Sequence, residues 1–317
     1  MKHIVTLTLN PTVDKSTTVA QMIPEQKLRC TPPKFEPGGG GINVSRALKR
    51  LGVDSLAIFP ASGTTGLLLQ QLLSQEDIAQ QPVVTVNWTR ENFIVVDTST
   101  NHQYRFGMPG SELSEIEQQQ ILDTLAALTP APDYLIISGS LPPGVEPAFL
   151  GKVVRLAHTA GSKVIADTSG PALHVLLAEG IYLVKPNIGE LSRLANQDDL
   201  DSSSVDVAAR QLIERGQCEI VVTSLGAQGA CLVTRDIIDH VPAPAVKKRS
   251  TVGAGDSMVA GLVYALSIGK SVREAVRLGV ACGSAATMNP GTELFYKEDA
   301  ERLYRWLLRS LPEQVSE

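Results

Sequence analysis

Cysteine is scarce in this chain: 317 residues hold four, and Cys30, Cys218, Cys231 and Cys282 are scattered with no C-x-x-C pair. That spacing argues against a disulfide framework and a cysteine-based metal site, and it suits a reducing cytoplasm. Long apolar runs are missing too. Nothing approaches the roughly 18 residues of a membrane helix, and the Ile4–Leu9 stretch is too short for a signal peptide and runs into Asn10-Pro11 with no cleavage-like site. Basic tracts are equally absent. The formal charge is −5, and Lys247-Lys248-Arg249 is the one basic triplet, which argues against nucleic acid as the main ligand. None of the five histidines lies near the motifs described below. The first strand is not followed by G-x-G-x-x-G, so a Rossmann dehydrogenase is excluded.

What is present fits a soluble α/β protein, with 43% hydrophobic and 19% charged residues. From Asp133 onward, short apolar strands alternate with helical stretches. Tyr134–Ile137, Lys163–Ala166, Tyr182–Val184 and Ile220–Thr223 read as strands; Pro147–Ala160 and Ala172–Glu179 read as helices. This rhythm predicts a mostly parallel sheet covered on both faces, with ligands beyond the carboxyl ends of its strands. Ser140, Asp167, Asn187 and Ser224 stand at those ends. The segments at about 15–35 and 90–107 are instead polar and β-rich, the second a hairpin turning near Thr98–Asn101. They read as one small sheet inserted into a single domain spanning 1–317, forming a lid over the site. A four-stranded sheet with an apolar face seldom stands alone in water, which predicts a homodimer through the lid. The tail after Leu311 reads as a frayed end.

Thr251-Val-Gly-Ala-Gly-Asp256 is the most informative stretch, a bare glycine turn followed by the apolar helical run Ser257–Leu266. Unpaired N–H groups and the positive end of the helix dipole favour an anion there. A carboxylate beside such a hole can take a proton from a hydroxyl while the amides stabilise a transferring phosphoryl group; it can also simply cap the helix. Pro37-Gly-Gly-Gly-Gly-Ile-Asn43 is either a flexible loop or a backbone surface for hydroxyl groups. The amphipathic helix that begins at Asn43 favours binding. Asn10–Asp14 would close the first strand with a carboxylate suited to sugar hydroxyls, or form an Asx-type turn. Asn187 and Glu190, three residues apart, could hold Mg²⁺ or form a helix capping box. Ser224–Gly229 is a glycine turn suited to a nucleotide or to a plain β-turn. Lys27, Arg29, Arg90 and Arg105 cluster on the lid segments, where a phosphate on the substrate would need them.

Taken together these motifs resemble the PfkB family of carbohydrate kinases, with the ribokinase-like fold. The resemblance rests on Gly38-Gly-Gly-Gly-Ile-Asn43, Ser250-Thr-Val-Gly-Ala-Gly-Asp256 and the Asn-x-x-Glu pattern of Asn187–Glu190. Thr8–Asp14 and Ile137–Gly144 look like the branch that acts on sugar phosphates. The resemblance implies a three-layer α/β/α sandwich and an ATP-dependent kinase. Its expected reaction converts fructose 6-phosphate to fructose 1,6-bisphosphate, ahead of tagatose 6-phosphate or fructose 1-phosphate. A sensor that kept the fold without the activity is the alternative from another class. The family pattern makes Asp256 the general base and gives the anion hole to Gly253, Ala254 and Gly255. Asp14, Gly39, Gly40, Asn43 and Ser140 would hold the sugar. Arg90 would bind the 6-phosphate, and Lys27 and Arg29 would reach the neighbouring subunit's site. Lys185, Asn187, Ser224, Gly226 and Gly229 would contact ATP, with Glu190 ordering Mg²⁺. Ser250, Val252, Ala286, Asn289 and Gly291 would form a monovalent cation site for K⁺. Close relatives often carry a basic residue near the end of that stretch, where Glu293 stands here.

Overall fold

A computed structural model describes residues 2–197 and 200–311; the expected frayed tail lies outside them. The chain opens with β1 (Ile4–Leu7), β2 (Thr12–Val19), β3 (Lys34–Gly38), α1 (Gly40–Leu51), β4 (Leu56–Ala61) and α2 (Gly63–Gln75). It continues with β5 (Ala79–Val84), β6 (Arg90–Asp97), β7 (His102–Phe106), α3 (Glu115–Ala126), β8 (Tyr134–Ser138) and α4 (Ala148–Thr159). Then come β9 (Lys163–Asp167), α5 (Gly170–Ala178), β10 (Ile181–Val184), α6 (Ile188–Ala195), α7 (Val205–Glu214) and β11 (Cys218–Ser224). The strands β12 (Ala230–Val233) and β13 (Ile238–Val241) and the helices α8 (Ala254–Ser267), α9 (Val272–Ala286) and α10 (Lys297–Ser310) follow.

Nine strands form one sheet in the order β13-β12-β11-β10-β9-β8-β1-β4-β5. Its pairings are parallel from β11 to β5 and antiparallel at the β11-β12-β13 edge. Alternation along the strands explains why both faces are covered. Ile4, Tyr134, Ile136, Ile165 and Leu183 pack on the side of α1, α8, α9 and α10. Val5, Leu135, Ile137, Val164 and Val184 pack on the opposite side against α3 to α7. The result is the expected three-layer α/β/α sandwich. α8 and α9 lie unusually close, because a Cβ at Gly261 would sit 2.8 Å from the Gly279 Cα. Small residues there bring α8, the helix that carries Asp256 in its first turn, down onto the core.

The remaining four strands pair as a separate sheet, β3-β2-β6-β7, joining the two polar segments as expected. It is mixed, with β2 and β6 parallel and the outer pairs antiparallel. The first segment is less β-rich than its composition suggested. Strand stops at Val19 and resumes at Lys34, and the single bridge between them joins Val19 to Cys30. One expected position moves as well. Asp14 does not close the first strand, since β1 ends at Leu7 and the chain crosses through Asn10-Pro11 into β2.

Candidate active site

Parallel strands deliver their carboxyl ends to one edge of the sheet, and the candidate residues collect there. α8 starts from Gly253, a left-handed N-cap with φ of 71° and no side-chain cap bond. The orphan amides of its first turn are therefore open to a ligand. Asp256 lies in that turn and is half-buried. The Asn43 amide donates to its Oδ2 at 2.9 Å. Burial pushes the Asp256 carboxyl up to about 7, and the nearby Asp167 carboxylate adds to the rise; Asn43, Lys185 and Ser138 work in the opposite direction. That value suits a group that gives and takes protons near neutrality.

Lys185, 5% exposed, follows β10 and lies 3.1 Å from Asp167 at the end of β9. Burial works to lower the ammonium's pKa, yet Asp167, Asp256 and Glu190 outweigh it and hold it above the usual lysine value. A Cβ on Gly255 would come within 3.5 Å of the Lys185 Nζ, so this ammonium flanks the helix turn directly.

The glycine loop approaches from the other side. A Cβ at Gly40 would meet the Ser138 Oγ at 2.3 Å and the Gly139 N at 2.6 Å, so only glycine lets α1 begin against the end of β8. Gly39, with φ of 115°, is the N-cap of α1 and accepts the Asn43 N–H through its carbonyl. Thr8 pins the same turn by accepting from the Ile42 N–H at 2.9 Å. Asp14 is buried on β2 and accepts from Asn92 Nδ2 at 3.0 Å. Burial raises its pKa despite Asn92, Arg90 and Arg46 nearby. Arg90 opens β6, and its guanidinium donates to the carbonyls of Asn10 (2.9 Å), Met108 (2.5 Å) and Pro11 (3.4 Å). Ser140 is exposed and accepts from Asn10 at 3.1 Å.

Beside the α8 turn a cavity of about 530 Å³ is lined by Ser224, Gly226, Gly229, Lys248, Thr251 and Gly255, among others. Its walls are mainly apolar, as in a pocket for a flat ring. Gly229 is obligatory there, since a Cβ would fall 1.9 Å from the Val241 carbonyl oxygen. Asn187 and Glu190 form the capping box of α6, with Glu190 Oε2 accepting from the Asn187 N–H at 2.8 Å. This geometry engages one carboxylate oxygen of Glu190. Among the described residues no three His, Cys, Asp or Glu side chains converge on a metal position.

The loops 249–252 and 287–294 close against each other. Ser250 Oγ donates to the Gly291 carbonyl at 2.9 Å and accepts from the Val252 N–H, while Asn289 Nδ2 donates to the Leu294 carbonyl. Ser250, Ala286 and Asn289 are buried. Glu293 is paired with Lys34 at 2.7 Å.

Not every expected residue joins this site. Lys27 and Arg29 are exposed between β2 and β3, and their side chains bond no other described residue. Arg105 is exposed on β7 and donates to Gln103 within its own strand. Conversely, sequence reasoning gave no role to Thr8, Asn92, Ser138 or Asp167. The strand-end position of Asp167 was the available signal; Asn92 carried none, because only the parallel register of β2 and β6 sets it beside Asp14.

A helix N-terminus with a carboxylate, a flanking lysine and a cavity beside them is an arrangement able to transfer a phosphoryl group. A ribokinase from Thermotoga maritima has the same fold, with a TM-score of 0.76 at 21% identity. The chain belongs to the pfkB family of carbohydrate kinases, whose pattern matches residues 5–299. It is 46% identical to the ATP-dependent 6-phosphofructokinase isozyme 2 of Escherichia coli over 310 residues, covering 98% of this chain and 100% of that one. A 1-phosphofructokinase of Xanthomonas campestris is 33% identical, covering 83% of each chain. The crystal structure of E. coli phosphofructokinase-2 with fructose-6-phosphate matches 97% of this chain and 99% of its own, at a TM-score of 0.91 and 44% identity. The same protein in complex with potassium gives 0.93 at 46%, over 97% and 99% of the two chains.

Proposed function

We propose that this chain is an ATP-dependent 6-phosphofructokinase that phosphorylates fructose 6-phosphate at its 1-hydroxyl. The observation that carries the reading is Asp256, held by Asn43 at the open N-terminus of α8, beside Lys185 and the ring-sized cavity. In this reading Asp256 removes the hydroxyl proton. The amides of Gly253, Ala254 and Gly255, with the Lys185 ammonium, stabilise charge on the transferring phosphoryl group. Asp14, Gly39, Gly40, Asn43 and Ser140 orient the sugar. Arg90, whose guanidinium retains N–H groups beyond the three carbonyls it serves, meets the 6-phosphate.

Ser224, Gly226, Gly229 and Asn187 contact ATP. The fit to Mg²⁺ is that of a metal carried by the nucleotide: hard carboxylates are present, but among the described residues no cage of three converges. Glu190 would hold it through water, and the ion supplies neutralisation of phosphate charge. The Ser250 hydroxyl with the backbone of Val252, Ala286, Asn289 and Gly291 would suit K⁺, and Glu293 beside them is paired with Lys34.

We read 1–317 as one kinase domain whose small sheet is a lid and whose dimer forms through that lid. Tyr104, Phe106 and Met108 are exposed at its β7 edge, and Lys27 and Arg29 have no partner among the described residues, as residues serving a second subunit would. Four unpaired cysteines support a cytoplasmic location. Among the described residues no helix is long and apolar enough to cross a membrane.

The test is an ADP-release assay with MgATP against fructose 6-phosphate, tagatose 6-phosphate, fructose 1-phosphate and ribose. The expected result is the highest kcat/KM with fructose 6-phosphate. Preference for another sugar phosphate would overturn the substrate, and binding without turnover of any acceptor would favour the sensor.

A further inference from the structure

Arg46 is the largest side chain in the fully buried interior, at 2% exposure. Taking a guanidinium out of water is costly unless every donor is engaged. Its Nε and Nη2 grip the Glu76 carboxylate at 2.7–3.0 Å. Its Nη1 donates to the Pro37 carbonyl at 3.0 Å and to Asn43 Oδ1 at 3.4 Å. Asn43 and Arg46 share a face of α1, three residues apart. The other end of the same amide, Asn43 Nδ2, donates to Asp256.

We propose that Arg46 is a positioning residue for phosphoryl transfer: anchored on Glu76, it fixes the Asn43 amide so that its NH₂ faces the Asp256 carboxylate. The proposal rests on the reading of Asp256 as general base. An asparagine amide can turn over at little cost, but guanidinium offers donors only and carboxylate offers acceptors only. Set between them, the amide has one satisfied orientation. That orientation favours the ionised base, since a protonated Oδ2 would lose the Asn43 hydrogen bond. The Pro37 contact ties the same guanidinium to the glycine loop, so loop and base are aligned by one group.

Asp256 is faced by Asp167 from β9, Lys185 from the turn after β10, Ser138 from β8 and Asn43 from α1. Arg46 is faced by Glu76 from the end of α2, Asp14 from β2 and Arg50 from its own helix. Asn43 touches both groups, donating to Asp256 and accepting from Arg46. Arg46→Lys therefore keeps the charge and removes the fork, which separates positioning from simple Coulomb attraction.

The experiment follows the Asp256 carboxyl by NMR in ¹³C-aspartate-labelled protein, its signal assigned by its loss in Asp256→Asn. Wild type, Arg46→Lys and Glu76→Gln are titrated, and the pH profile of kcat/KM is recorded for each. In Arg46→Lys the Asp256 midpoint is expected to rise by roughly half to one pH unit, with kcat lower by about 3- to 10-fold and the KM for MgATP unchanged. Glu76→Gln should shift it the same way by less. A lower melting temperature with an unmoved Asp256 midpoint and a superimposable pH profile would overturn the proposal. If Arg46→Lys fails to fold, Glu76→Gln decides by the same two readouts. If wild type phosphorylates no acceptor, the kinase reading falls, while the NMR midpoints still decide whether Arg46 orients Asn43.

Discussion

The two halves of the candidate site are built differently. The phosphoryl half is self-contained: Asp256, Asn43, Lys185 and Asp167 hold one another across four elements of the main sheet and its helices. The acceptor half is open. Asp14 and Arg90 sit on the small sheet, tied mainly to backbone and Asn92, while Lys27 and Arg29 bond no other described residue. In the proposed reading the parallel sheet carries the chemistry, and the mixed sheet supplies a specificity that a second subunit would complete. The contrast can be broken at several points.

Short of removing the base itself, the largest effect is expected from Gly40→Ala. The new methyl overlaps Ser138 and Gly139, so the loop must move and carry Asn43 with it. Activity should fall by on the order of 10²-fold, as an ångström of misplacement does. Near-normal turnover would show that the loop does not align the base.

Next come Lys27→Ala and Arg29→Ala, which should raise the KM for the sugar phosphate by about 10-fold each while kcat changes little. Mixed with an Asp256→Asn subunit, the double variant should recover activity if the cations act on the neighbouring site. Absence of recovery in verified heterodimers would place them elsewhere.

The pH dependence is a smaller, sharper test. The folded Asp256 carboxyl is raised from 3.8 to about 7, so kcat/KM should rise with pH through about 7 and level off above it. The stability effect has the opposite sign. A carboxyl raised on folding stabilises while neutral, and that contribution is lost as pH climbs from about 3.8 through about 7. Asp256→Asn should accordingly melt no lower than wild type at pH 8. The smallest effect is a few-fold rise in kcat/KM when K⁺ replaces Li⁺ at constant ionic strength, since the ion would sit behind the turn and not in it.

Much of the phosphoryl half was legible in the sequence. Bare turns at residues 38–41 and 253–255 and polar residues at strand ends are local signals, and the structure gathers most of them. The acceptor half was less so. Asp14 was misplaced because an apolar run flowing into Asn-Pro looks like one strand with its end, whereas Asn10-Pro11 is a crossing between two sheets. Arg46 and Glu76 meet across 30 residues, and Asn43 and Asp256 across 213. Such pairs leave no spacing to read, and a buried arginine on an amphipathic helix looks like surface charge.

The most direct measurement compares wild type and Asp256→Asn side by side, by ADP formation from MgATP and fructose 6-phosphate and by calorimetric binding of the sugar phosphate. The account predicts that the variant binds with affinity within about 3-fold of wild type while kcat falls by on the order of 10²-fold or more. Turnover of Asp256→Asn close to that of wild type would contradict it.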